Sequence, residues 1–116
     1  MEYIISSNKN LSDLFKLLAH PARIAILDEL REGEACVCHL EAHLGLRQAY
    51  ISQQLSLLRQ AGLVVDRRDG WNVYYHVAEP SVLALLDLAR QATHTPLQPR
   101  STASACTCPK CSEKQK

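Results

Sequence analysis

The chain has 116 residues, 47% of them apolar, and a formal net charge of +1. That length allows one domain with a modest core; no run approaches the roughly 18 apolar residues of a membrane span, and the near-neutral charge gives no global sign of a nucleic-acid binder. Met1 to Asn10 carry no basic-then-apolar export signal. A reducing cytoplasm is therefore the expected setting, where clustered cysteines favour metal or redox chemistry over structural disulfides. The odd count of five cysteines points the same way.

Leu11, Leu14, Phe15 and Leu18 recur at i, i+3, i+4 and i+7 and predict an amphipathic helix, with Asn10 as its N-cap. His20-Pro21 restarts the chain, because Pro suits the first helical position. A second helix, Pro21 to about Arg31, is expected to bury Ile24, Leu27 and Leu30 and to end near Gly33. A short third helix from about Cys38 to Leu44 stops at Gly45. A fourth, roughly Gln48 to Ala61, buries Ile51, Leu55 and Leu58 and ends at Gly62. Two short helices joined by a Gly-containing turn, the second longer and more polar, form a helix-turn-helix pattern.

Asp69-Gly70 then separates two β-rich runs and signals a hairpin. Trp71, Val73, Tyr75 and Val77 alternate with Asn72, Tyr74 and His76, as in a half-buried strand. A hairpin directly after a recognition helix is a wing. The last helix, from Glu79-Pro80 to about Thr93, carries Val82, Leu83, Leu85, Leu86, Leu88 and Ala89 and is apolar nearly all round. A terminal helix of a small domain does not cover that much surface by itself, so a partner chain is expected. From Thr95 the Pro-, Ser- and Thr-rich composition predicts a flexible tail. The expected fold is mainly α with a β-hairpin wing, a homodimeric winged helix-turn-helix. Residues 1–93 form the DNA-binding and dimerisation domain, and 94–116 form a Cys-containing tail.

Three segments give the chain a resemblance to the ArsR/SmtB family of metal-responsive repressors. Leu18-Ala19-His20-Pro21-Ala22-Arg23 is similar to the family's Leu-Ala-Asp-Pro-Thr-Arg. Glu34-Ala35-Cys36-Val37-Cys38-His39-Leu40 resembles the Cys-Val-Cys metal box of arsenic- and cadmium-responsive members. Ile51-Ser52-Gln53-Gln54-Leu55 through Leu58-Arg59-Gln60-Ala61-Gly62-Leu63 is similar to the recognition helix and its exit. The resemblance covers about Leu11 to Ala92. It implies a non-enzymatic transcriptional repressor that sits as a homodimer on a palindromic double-stranded operator and leaves when an inducer binds. Two recognition helices would enter successive major grooves about one helical turn apart.

The front of the fourth helix offers Arg47, Gln48, Tyr50, Ser52, Gln53 and Gln54 to DNA. Gln can pair bidentately with adenine, and Ser suits base edges or phosphates. Arg47 and Arg59 are expected on phosphate, with Arg67, Arg68 and Asn72 as wing contacts. Arg47 stands where the family commonly has a capping Ser, and Gln53-Gln54 replaces a more basic pair.

The inducer site is expected at Cys36 and Cys38. On a regular helix two residues two apart point about 200° away from each other. The thiols can converge only if Cys36 precedes the helix and Cys38 lies in its first turn, where the helix dipole also favours thiolate. Thiolates select soft ions. As(III) is the leading inducer, with Cd(II), Pb(II) or Zn(II) as alternatives, and oxidation of the thiols is a second kind of signal. As(III) takes three thiolates and Cd(II) or Pb(II) three or four, so the pair is incomplete. Glu41 occupies the place where some relatives have a third Cys. Cys106, Cys108 and Cys111 in the tail could complete the site, since the segment from Ala92 spans up to about 45 Å extended. His39 replaces the family's usual Asp and is read as solvated. Asp87 and His94 lack the spacing of the family's other metal site, on the last helix.

Overall fold

In the computed structural model, which describes residues 2–97, six helices and three short strands follow one another. They are α1 (Glu2–Ser7), α2 (Lys9–Leu18), α3 (Pro21–Glu29), β1 (Ala35–Cys36), α4 (Val37–Leu44), α5 (Gln48–Gln60), β2 (Val64–Asp69), β3 (Asn72–Val77) and α6 (Pro80–Thr93). A 3-10 turn, Leu30–Glu32, extends α3, and Gly33 follows it at φ 139°. Cys106, Cys108 and Cys111 lie outside the described residues.

The core forms where the apolar stripes of α3, α4 and α5 meet the start of the hairpin. Ile26, Leu27, Leu40, Ile51, Leu55, Leu58 and Val64 are wholly buried there. Burial of each such side chain contributes about 1.5–3 kcal/mol. Ile24, expected inside, sits partly buried at the margin, and Ile26 takes the central place.

The N-terminal part differs from expectation. Asn10 lies inside α2, whose N-cap is Asn8 without a side-chain cap bond. Leu18 of the predicted stripe is buried, but Leu11 and Phe15 remain 53% and 50% exposed. At the other end, α6 sends Val82 and Leu86 into the core and leaves Leu88 64% exposed. Arg31 ties α6 down: it donates to both oxygens of Asp87, at 3.0 and 2.9 Å, and to Asp28. Arg90 of α6 also pairs with Asp28.

The sheet has the order β1-β3-β2, antiparallel throughout. β1 was not anticipated. It places β3 in the centre, with Cys36 opposite Tyr74 and Ala35 opposite Tyr75. Both edges of β3 are therefore paired, and both faces are covered as well: Tyr74 packs with Cys36, Cys38 and Ala42, while Tyr75 and Val77 pack on the main core. Trp71, expected on the buried side, occupies the hairpin tip and is fully exposed. Gly70, at φ 63°, takes the first position of that two-residue turn, where a positive φ is needed.

Candidate nucleic-acid interface and thiol site

Gly45 ends α4 in the left-handed conformation, φ 67°, its N–H donating to the Glu41 carbonyl at 3.0 Å. The chain then turns directly into α5, with Arg47 in the N-cap position. Arg47, Gln48, Ser52 and Gln53 are exposed at the front of this helix. Tyr50 is half-buried, its hydroxyl 3.4 Å from His20 Nε2.

Gln54 departs from the expected set. It is 5% exposed, and its Oε1 accepts from Arg23 Nε at 2.7 Å while Arg23 Nη1 donates to the Leu17 carbonyl at 3.1 Å. The cause is helical period: Gln54 lies three residues after Ile51 and four before Leu58, on the inward face. It fastens α5 to α3 and does not face outward.

On the wing, Arg68 is exposed and Asn72 half-buried. Arg67 is engaged within the chain. Its Nη2 and Nε donate to the two Glu34 oxygens at 2.6 and 3.0 Å, and its guanidinium lies 4.9 Å over the Tyr74 ring. The Glu34 carboxylate holds that guanidinium above its ordinary pKa. Arg59 faces Asp66, 3.5 Å away.

Cys36 ends β1 and is the N-cap of α4, with extended backbone (φ −86°, ψ 166°). Its Sγ accepts the His39 backbone N–H at 3.3 Å. Cys38 falls in the first turn of α4, so the helix starts between the two residues, as their convergence requires. Cys36 is buried with Tyr74, and Cys38 and Ala42 pack against that pair. Neither cysteine forms a disulfide among the described residues.

His39, expected in solvent, is 8% exposed. It stacks on His43 one turn later, ring centroids 4.1 Å apart, and both imidazoles face Glu29 of α3. The i, i+4 spacing of the two histidines was visible in the sequence; their partner on another helix was not. Asp87 is held by Arg31, and His94 caps α6.

A short helix, a tight glycine turn, a longer helix with a polar outer face and a hairpin beside it define a winged helix-turn-helix DNA-binding protein. Residues 20–65 match the family model described as bacterial regulatory protein, arsR family. The HTH-type transcriptional regulator Rv0081 of Mycobacterium tuberculosis is 46% identical over 81 residues, 69% of this chain and 71% of that protein. Its crystal structure superposes with a TM-score of 0.66 at 44% identity, over 72% of this chain and 84% of that one. The biofilm growth-associated repressor of Agrobacterium fabrum is 45% identical over 74 residues, 64% of this chain and 63% of that protein. The homodimeric winged helix-turn-helix DNA-binding domain Mb0332 of Mycobacterium bovis has a TM-score of 0.69 at 30% identity, covering 81% of this chain and 87% of that one. The chain belongs to the ArsR/SmtB family of transcriptional regulators, DNA-binding proteins and not enzymes. No helix among the described residues is long and apolar enough to cross a membrane.

Proposed function

We propose that this regulator is a cytoplasmic, homodimeric repressor that leaves its operator when As(III) is captured by Cys36, Cys38 and tail thiolates. The observation that carries the reading is the position of Cys36, at once the N-cap of α4 and a strand partner of the wing. An ion drawing Cys36 and Cys38 together acts on the helix that braces α5 and on the strand that holds β3. Release follows if the bound ion prefers the arrangement that does not fit DNA. As(III) needs a third thiolate, and Glu41 offers a carboxylate where a thiolate would serve. Cys106, Cys108 and Cys111 of segment 94–116 are the remaining donors, with residues 1–93 forming the domain that they serve.

Each protomer reads one half-site through Arg47, Gln48, Tyr50, Ser52 and Gln53, with Arg59, Arg68 and Asn72 flanking. Homodimerisation is supported by the homodimeric relative and by the uncovered Leu11, Phe15 and Leu88. Arg67, paired with Glu34, holds the wing in shape more than it neutralises phosphate. Arg68→Ala is accordingly expected to lower the salt slope of operator binding by about one per protomer. Arg67→Ala should change that slope less. Binding titrated across salt concentrations checks this, and the reverse ranking would place Arg67 on the phosphate.

The function itself is tested by titrating the operator complex with As(III), Cd(II), Pb(II) and Zn(II) under reducing conditions. Release by As(III) at the lowest concentration is expected. Release by Cd(II) or Pb(II) alone would keep the thiolate site and change its ion. Release by Zn(II) alone, or only by an oxidant and reversed by dithiothreitol, would overturn the As(III) reading.

A further inference from the structure

A second cluster of metal-ligating side chains joins α3 to α4. Glu29 Oε2 of α3 lies 3.5 Å from His39 Nε2 and 3.9 Å from His43 Nδ1, both on α4. One donor atom from each of the three residues falls within 4.8 Å of the others. The side chains are only 10–14% exposed. No other group of three such residues comes together among the described residues.

The separations suit one kind of contact better than another. An N–H···O hydrogen bond spans about 2.7–3.2 Å, shorter than either separation. Donors around a tetrahedral Zn(II) with bonds of 2.0–2.1 Å stand about 3.3–3.4 Å apart, near the 3.5 Å of the Glu29–His39 pair and shorter than the 3.9 Å of the Glu29–His43 pair. The His43 Nδ1 atom is buried and has no hydrogen bond. We propose that Glu29, His39 and His43 form a binding site for a borderline divalent cation of the Zn(II), Co(II) or Ni(II) class, with water in the fourth position.

Two imidazoles and a carboxylate are a harder donor set than thiolates, so this site and the Cys36/Cys38 pair sort different ions. The proposal stands on geometry independent of the As(III) reading. One feature of the rings sets what binding must do. Their planes lie only 19° apart, nearly parallel, so the in-plane lone pairs run side by side. For both to meet one ion the rings must splay about their side-chain torsions. Loading thus pins α4 to α3 through a small rearrangement one turn beyond the thiols, and it stabilises the fold by mass action.

The test uses the full chain with all five cysteines replaced by Ser, together with its Glu29→Gln and His43→Gln versions, all checked by circular dichroism. Co(II) is titrated and its visible ligand-field bands recorded, and Zn(II) competes for it. The expected result is one Co(II) per chain, with no thiolate charge-transfer band, a raised melting temperature, and affinity at least tenfold weaker in either variant. Absence of Co(II) and Zn(II) binding in the micromolar range, or unchanged affinity in the variants, overturns the site. If the Cys-free chain does not fold, the native and His43→Gln chains are compared. Bound Co(II) should fall by one per chain, and an equal count overturns the proposal.

Discussion

Cys36→Ser and Cys38→Ser are each expected to bind operator as the native chain does and to remain bound when As(III) is added. Ser is a good N-cap, so its oxygen can accept the His39 N–H that the Cys36 sulfur accepts now. The start of α4 and the presentation of α5 should survive, while a thiolate ligand is lost. If As(III) weakens native operator binding by about 5–150-fold, the usual span of such couplings, each variant should respond by less than about twofold. Fluorescence anisotropy of labelled operator measures both quantities. Native release in either variant would remove the helix-front site. Truncation after Gln98 is the companion measurement. It should leave operator affinity unchanged and weaken As(III) binding by at least about tenfold, since two thiolates then act where three are needed. Unchanged As(III) affinity would take the tail out of the site.

The second large effect concerns assembly. Phe15→Glu combined with Leu88→Glu should convert the dimer to monomers and lower operator affinity by about 10²–10⁴-fold, the scale lost when two linked half-site contacts become one. Phe15 and Leu88 are 50% and 64% exposed in the single chain. Carboxylates there cost the protomer little and cost an apolar interface heavily. Sedimentation equilibrium reads the mass, and thermal unfolding confirms that the protomer persists. A variant that still sediments as a dimer would move the interface elsewhere.

The helices were legible because apolar stripes with a 3.6-residue period survive in the sequence, and the hairpin because Asp69-Gly70 marks its turn. Two residues have no period, so β1 could not be seen; it exists only because β3 offers an edge to Ala35 and Cys36. Trp71 lies outside β3, at the hairpin tip, so the alternation of the strand does not set its exposure. Gln54 is polar, yet its spacing from Ile51 places it on the inward face, where it accepts from Arg23. The placing of Cys36 and Cys38 on either side of a helix start was legible from their spacing beside the predicted helix. Glu29 was out of reach, because no local pattern relates α3 to the histidines of α4.

Trp71 is the chain's single tryptophan, and it projects fully into water from the tip of the hairpin. The protein therefore carries its own optical probe at the point where the wing would meet a DNA backbone. Its full exposure predicts the emission of a solvated indole in the free protein. Intrinsic fluorescence can follow arrival and departure of the wing without a dye.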